Sequence, residues 1–297
     1  MTSYDPDERL SLNELIDAAL PAMSPAEQRM ASFFKTQKQA VLLSSAAEIS
    51  AKAGTSDATV VRTARTLGFD GLADLREAIL ADLTASGPES RLSRTLEDLG
   101  QDPGSALGLV LRAHRESLEV MSSSAFADAF AKAVKILFSA RRRFLFGIGP
   151  SGSVAEYASL QFNRLGLPTS ALSNSGIGLA DQMISMEKGD AIMMIAHAPV
   201  YREVTVVLEH AQAHGVPVVL VGDSLFPHVS DQITELLPVS RGRADNLSMH
   251  GATIVLVEAM IVALAAEDRE AALLSLAKFG ALRGAIDKHW LKRGVKK

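Results

Sequence analysis

The 297-residue chain contains no cysteine. A disulfide framework and thiolate chemistry are therefore excluded, and a reducing compartment is permitted. Long apolar runs are also scarce, because the longest, Gly251 to Ala266, is too short for a bilayer and contains Glu258. The acidic, polar start MTSYDPDERL is the opposite of a signal peptide. We therefore expect a cytoplasmic protein with no membrane partner.

Signatures of metal binding are missing as well. The seven histidines show no H-E-x-x-H spacing, and no cysteine is available to complete a zinc site. The hydrophobic share of 47% and the charged share of 22% are those of an ordinary globular protein. The length suits two domains. We expect no metal and no cofactor.

Residues 44–71 contain two short amphipathic helix patterns around a glycine. Ser45 followed by Glu48 is a capping box, which predicts that the first helix begins directly after Ser45. Gly54 favours the left-handed conformation that ends a helix, and Ser56 offers a hydroxyl N-cap to the second helix. This arrangement is typical of a helix-turn-helix DNA-binding motif.

The second helix is predicted to place Val60, Val61, Ala64 and Leu67 inside and its hydroxyls and guanidinium groups outside. Two short helices around a glycine also occur in helical bundles that never contact DNA. In the DNA-binding interpretation, the contacts come from both helices and the turn between them. The predicted DNA-binding residues are Lys52, Thr55, Ser56, Thr59, Arg62, Thr63 and Arg65.

Net charge argues mildly against DNA binding, since the chain carries −4 at pH 7 and its first eighty residues contain more acidic than basic side chains. Attraction to phosphates must then depend on local placement. We expect five cations to lie near one surface: Lys35, Lys38, Lys52, Arg62 and Arg65. Non-specific affinity should be modest, and binding should need a dimer.

Three segments in the first third of the chain carry a family resemblance. They are the helix start SPAEQRMASFF, the core AAEISAKAGTSDATVVR and the exit LGFDGLADLR. Together they resemble the N-terminal domain of the RpiR family of bacterial transcriptional regulators. The resemblance implies an all-α helix-turn-helix domain that binds an operator in double-stranded DNA, and we assign it to residues 1–85.

Residues 86–120 are predicted to form a linker and a connecting helix, because Gly87-Pro88 and Asp102-Pro103-Gly104 are breakers. Helices are expected at 106–121 and 125–140. Short apolar runs then alternate with helix-length segments, starting at 143, 169, 190, 217 and 235. This alternation predicts a doubly wound α/β domain with a five-stranded parallel sheet over residues 121–297. A strongly apolar, buried helix is expected at 247–265.

The glycine loop from Gly147 to Gly152 matches the G-x-G-x-x-G pattern of dinucleotide-binding folds. No acidic residue follows about 20 positions later to hold a ribose, which argues against NAD. The glycines can instead allow a sharp turn that starts a helix close to a ligand.

The segment from about 125 to 266 resembles the sugar isomerase (SIS) domain of RpiR regulators, through ARRRFLFGIGPSGSVAEYASLQFNRLGLP, KGDAIMMIA and HGVPVVLVGDS. The resemblance implies a phosphosugar site to which Ser151 contributes from the first loop. The second loop, normally Ser-x-Ser-Gly-x-Thr, reads Ala-His-Ala-Pro-Val-Tyr at 196–201. It has lost three hydroxyls, and Pro199 has no N–H. We expect the usual phosphate cradle to be lost.

Two interpretations of this altered loop remain open. Either a different pocket binds a different ligand, with Arg202 able to pair with a carboxylate or a lone phosphate, or the domain only dimerises. The predicted ligand-binding residues are Gly149, Ser151, Gly152, His197, Tyr201 and Arg202.

The chain is thus predicted to be a non-enzymatic, DNA-binding transcriptional regulator that senses a sugar derivative or another small anionic metabolite. A homodimer or homotetramer is expected, since one helix-turn-helix buries too little surface for operator affinity. The alternatives are an SIS-fold sugar-phosphate isomerase with a helical accessory domain, and a pure interaction module. No catalytic residue is predicted, because isolated histidines near a pocket are usually packing or surface groups.

Overall fold

The computed structural model describes residues 12–85, 87–223, 225–243 and 246–294. The N-terminal segment MTSYDPDERL lies outside these residues. Among the described residues, none of the helices combines the length and apolarity that crossing a membrane requires.

The N-terminal part is an all-α bundle around one hydrophobic core. The fully buried side chains of Met30, Phe34 and Ile49 form part of that core. The bundle consists of α1 (Leu12–Ala19), α2 (Pro25–Thr36), α3 (Lys38–Leu43), α4 (Ala46–Ala53), α5 (Asp57–Thr66) and α6 (Leu72–Ala85).

The turn between α4 and α5 forms as its residues predict. Ser45 and Glu48 make both hydrogen bonds of the capping box, and Gly54 takes the left-handed conformation at φ 63°. Ser56 is the N-cap of α5, although its side chain makes no capping hydrogen bond. The helix-turn-helix prediction is confirmed.

The predicted linker contains a helix that begins at one of its expected breakers. Pro88 lies in the first turn of a helix after Gly87, so it begins α7 (Pro88–Leu99) rather than breaking the chain. A short 3₁₀ turn (Pro103–Ser105) and α8 (Ala106–Met121) follow. Two residues of the C-terminal part hold α7 in place: the Asn246 side chain donates to Asp98 at 2.7 Å, and the Leu247 amide donates to the Thr95 hydroxyl at 2.8 Å.

The C-terminal part is the predicted doubly wound α/β domain. Within the described residues, its strands form one parallel sheet in the order β2-β1-β3-β4-β5. The strands are β1 (Arg143–Phe146), β2 (Thr169–Leu172), β3 (Ala191–Ile195), β4 (Val218–Val221) and β5 (Glu235–Leu237). The helices are α9 (Ser124–Ser139), α10 (Pro150–Arg164), α11 (Ile177–Met183), α12 (Arg202–His214), α13 (Phe226–Val229), α14 (Gly251–Glu267) and α15 (Arg269–Gly294).

Both faces of this sheet are covered. Side chains of α9, α10 and α14 form the core on one face, and side chains of α11, α12 and α13 form the core on the other. Strands buried on both sides explain the continuous apolar runs of β1, β3 and β4, as expected for a parallel sheet.

The prediction that the helix after β5 is buried was only half right. α14 buries Leu256, Val257 and Met260, but Ile254 and Val262 on its other side are exposed, Val262 by 70%. A helix that is apolar all round cannot be divided into faces by periodicity, so only the packing shows which side is covered.

Candidate nucleic-acid interface and ligand pocket

The outer face of α5 carries Arg62 and Arg65, as predicted. Two other residues of the predicted DNA surface lie inside: Thr59 is 3% exposed and Thr63 is fully buried. The prediction that these threonines face outward is therefore wrong. They lie beside Val60 on the side of α5 that packs against α2 and α4. The threonine methyl group allows such burial, and the contacts with the neighbouring helices set the rotation of α5.

The start of α5 presents mixed surroundings. Ser56 is exposed, and its hydroxyl lies 2.9 Å from that of Thr59. Thr55 is half-buried, and its hydroxyl oxygen has no hydrogen-bond partner among the described residues. Ser56 therefore remains available for a phosphate, while Thr55 contributes mainly to the turn.

Arg62 is oriented by a carboxylate on a neighbouring helix. Its Nε lies 3.4 Å from Oε1 of Glu27, on α2. Hydrogen bonds from Ser24 hold the pKa of Glu27 below its ordinary value, with a smaller contribution from the charge of Arg62. Arg65 donates to the carbonyl oxygen of Asp70 at 3.3 Å. Both guanidinium groups remain at the protein surface.

The predicted grouping of five cations on one surface is wrong in part. Lys35, Lys38 and Lys52 line a cleft of about 790 Å³ between the helical bundle and the α/β domain, together with Glu116 and Arg243. Lys52 also donates to the Ser44 hydroxyl at 3.1 Å. Folding the bundle against the α/β domain thus turns these lysines toward a second domain and away from the outer face of α5.

A pocket of about 200 Å³ lies at the carboxyl edge of the sheet, where β1 and β3 meet. The chain leaves these two neighbouring strands in opposite directions, and ligands of α/β domains bind at such a position. The residues relevant to binding that line it are Arg91, Ser151, His197, Pro199, Tyr201 and Arg241.

Three of the six predicted ligand residues therefore meet in this pocket: Ser151, His197 and Tyr201. Gly149, Gly152 and Arg202 are not among its lining residues. Gly149 adopts φ 59° before α10, and a Cβ on Gly152 would lie 2.9 Å from the carbonyl oxygen of Gly147. These glycines shape the loop that positions Ser151. Arg202 is exposed at the start of α12.

His197 is held by a buried carboxylate. Its Nδ1 lies 3.2 Å from Oδ1 of Asp223, and its Nε2 has no hydrogen-bond partner among the described residues. Burial lowers the pKa of His197, with Asp223 opposing that effect. Because an ionised carboxylate can only accept, we assign the proton of the neutral ring to Nδ1, which leaves Nε2 as an acceptor.

His250 and Arg241 lie close enough to His197 for their charges to interact. Burial and the positive charge of Arg241 lower the pKa of His250 to about 4, so this histidine is neutral at pH 7. Burial also lowers the pKa of Arg241, while Asp223 opposes that effect. The positive charge of Arg91 also lowers the pKa of Arg241.

Comparison with protein families accounts for both parts of the chain. A family model described as a helix-turn-helix domain of the rpiR family matches residues 10–86, and one described as an SIS domain matches residues 136–265. The chain belongs to the RpiR family.

Individual relatives are distant. The bifunctional protein glk of Burkholderia pseudomallei is 29% identical over 84% of this chain, which spans only 39% of that protein's length. The HTH-type transcriptional regulator RpiR of Escherichia coli is 22% identical over 76% of this chain and 77% of its own. A solved structure of the Vibrio vulnificus NanR protein complexed with ManNAc-6P matches 93% of this chain and 99% of its own, with a TM-score of 0.55 and 19% identity. At that identity the likeness to NanR shows the fold alone.

The sequence reasoning missed Arg91 and Arg241 as pocket residues. Arg241 directly follows the region of the last strand, at the sheet edge where ligands bind, and this position could have identified it. Arg91 lies in the segment interpreted as a linker, and nothing local pointed to the pocket. No group of acidic and histidine residues able to hold a metal ion occurs in the part of the chain that the structure describes.

Proposed function

We propose that this chain is a DNA-binding transcriptional regulator that acts in the cytoplasm as a dimer or tetramer and responds to a small anionic ligand in its α/β domain. The observation that carries the proposal is the pairing, in one chain, of an outward-facing α5 bearing Arg62 and Arg65 with a separate pocket at the switch point of the sheet. Helix α7 joins the two parts.

The exposed face of α5 supports DNA reading. A guanidinium group on a helix that fits the major groove can make a bidentate hydrogen bond to O6 and N7 of a guanine, or it can pair with a phosphate. Glu27 engages Nε of Arg62, and Nη2 makes a long hydrogen bond of 3.5 Å to the Thr59 hydroxyl, which leaves further N–H groups of the guanidinium for such contacts. Ser56 and the N-terminus of α5 are suited to a phosphate.

Exposed apolar side chains support self-association of the second domain. Leu107 and Leu111 of α8 and Val262 of α14 are each more than half exposed. A symmetric pairing of these helices would bury this surface and would present two α5 helices at a fixed spacing. An operator with half-sites about one DNA turn apart, or a multiple of it, is the expected partner.

One observation favours an enzyme as the second candidate. His197, oriented by Asp223 and with a buried Nε2 that has no hydrogen-bond partner among the described residues, resembles the arrangement of a general base. The pocket loop offers no phosphate cradle, because Ala196, Ala198 and Pro199 supply no side-chain donors. Turnover of a pentose or hexose phosphate by the full chain would establish the enzymatic alternative.

The test of the regulator proposal is a titration of the full chain with duplex DNA from around its own gene, followed by fluorescence anisotropy at several salt concentrations. We expect affinity to fall steeply with salt, as phosphate contacts require. The residue 1–85 fragment should be monomeric and bind far more weakly than the full chain. If the fragment bound DNA as tightly as the full chain, the second domain would have no role in operator affinity. If the full chain showed no salt-sensitive DNA binding, the proposal would be overturned.

A further inference from the structure

The pocket is built from both sides of the boundary between the two parts of the chain. Arg241 comes from the loop after β5, whereas Arg91 comes from α7, which connects the α/β domain to the helical bundle. The two guanidinium groups are close enough that the charge of Arg91 lowers the pKa of Arg241. Two partly buried guanidinium groups that line the same pocket are well suited to bind one anion together.

Apart from the hydroxyls of Ser151 and Tyr201, the remaining walls of the pocket provide few donors for an anion. Ala196 and Ala198 have no polar side-chain atoms, and Pro199 has no backbone N–H. A phosphate dianion usually relies on several amide and hydroxyl donors around its three oxygens. Here the arginine pair provides the charged donors, whose flat fork matches a carboxylate as well as a phosphate, and the scarcity of further donors in the second loop favours the carboxylate.

The charges of the surrounding groups also favour a single negative charge on the ligand. Arg91 and Arg241 contribute two positive charges, and the nearby Asp223 contributes one negative charge. His197 and His250 add none at pH 7, because burial keeps both rings neutral. The balance is one positive charge, which a monocarboxylate neutralises.

His197 specifies a second feature of the ligand. Its Nδ1 is committed to Asp223, so its Nε2 can only accept a hydrogen bond. A buried acceptor without a partner is costly, and a ligand hydroxyl would satisfy it. The cavity of about 200 Å³ is below the roughly 300–1,000 Å³ that is usual for drug-sized ligands, so the ligand must be small.

We propose that this pocket binds a small hydroxycarboxylate of the sugar-acid class, with its carboxylate between Arg91 and Arg241 and one hydroxyl donating to Nε2 of His197. This inference rests on the proposed function and names the ligand class for the same pocket. Because Arg91 belongs to α7, the ligand also ties α7 to the sheet edge. Occupancy of the pocket can then change the position of the helical bundle through its different affinity for two arrangements of α7.

The test uses the full chain and isothermal titration calorimetry with four probes: D-glycerate, D-gluconate, D-glucose and D-glucose 6-phosphate. We expect at least one of the two hydroxycarboxylates to bind and to raise the Tm, and neutral glucose to do neither. Binding of glucose 6-phosphate without binding of either carboxylate would overturn the proposal, as would no binding by any probe.

Four variants locate the site. Arg91→Gln and Arg241→Gln should each weaken binding of the carboxylate at least tenfold, while Arg94→Gln, on the same helix but not in the pocket lining, should leave it unchanged. If Arg241→Gln does not fold, Arg241→Lys replaces it in the binding measurement, because lysine keeps the positive charge but lacks the forked donors. Unchanged binding by Arg91→Gln would overturn the assignment across the boundary.

Failure of this inference can be told apart from failure of the proposed function. Salt-sensitive DNA binding without carboxylate binding leaves the regulator in place and rejects the ligand class. Carboxylate binding without any DNA binding rejects the regulator.

Discussion

Thr63→Val is expected to stabilise the helical bundle. The Thr63 side chain is fully buried, and its hydroxyl oxygen has no hydrogen-bond partner among the described residues. Burying an unpaired hydroxyl costs about 1–3 kcal/mol, and valine has nearly the same shape without that group. Both residues are β-branched, so helix propensity changes little. We therefore expect the free energy of unfolding to rise by about 1–2 kcal/mol.

The assay is urea unfolding followed by circular dichroism, with Thr66→Val as the matched control in the same helix. The Thr66 hydroxyl is exposed and donates to the carbonyl oxygen of Arg62 at 3.0 Å, so its replacement should change stability by no more than about 0.5 kcal/mol in either direction. Operator affinity of Thr63→Val should stay within about twofold of the wild type, since a buried side chain contacts no DNA. If Thr63→Val lowered the free energy of unfolding by more than about 1 kcal/mol, or lowered operator affinity tenfold, the view that Thr63 is a buried residue with an unpaired hydroxyl and no DNA contact would be refuted.

The other predictions concern the DNA surface, the pocket loop and the pH dependence of stability. Arg62→Ala should cost about 1–3 kcal/mol in operator binding and relax sequence preference, measured by anisotropy with operator and scrambled duplexes; equal discrimination by the variant would exclude base reading by Arg62. Ala198, 8% exposed, belongs to the hydrophobic core of the helical bundle although it lies in the pocket loop, so Ala198→Ser should destabilise the full chain by about 1–3 kcal/mol in urea unfolding, against a near-zero effect of the exposed Ala213→Ser. The pKa of half-buried His250 lies below its unfolded value of 6.5, at about 4, so its stabilising effect is complete above pH 6.5 and is lost as pH falls toward 4. The full shift corresponds to at most about 3 kcal/mol, which partial exposure reduces to roughly 1–2 kcal/mol. His250→Asn should therefore lose less stability than the wild type between pH 7 and pH 4.5, and identical pH profiles would contradict this reasoning.

Local residue patterns predicted most of the secondary structure. The capping box of Ser45 and Glu48 and the left-handed Gly54 act within a few residues of themselves, so the turn of the helix-turn-helix could be located from the sequence. The inner strands β1, β3 and β4 were equally recognisable, since burial on both faces of a parallel sheet favours continuous apolar runs. These features depend on neighbours along the chain.

The errors arose where one residue type suits two environments. Threonine carries both a methyl group and a hydroxyl, so Thr59 and Thr63 could be assigned to either side of α5 until the contacts with α2 and α4 were known. The same applies to Pro88, which breaks a helix interior but begins α7 when it lies in the first turn.

The fold classes of the two domains and the helix-turn-helix could be predicted from residues adjacent in the chain, and so could the departure of residues 196–201 from the hydroxyl-bearing loop of the family. The full set of residues that line the pocket could be found only from the three-dimensional packing. Arg91 and Arg241 are far apart in sequence and line the same pocket because Asn246 and Leu247 hold α7 near the sheet edge. The charge and shape of a pocket depend on segments that are distant in sequence and come together on folding. A local sequence pattern does not indicate which segments these are.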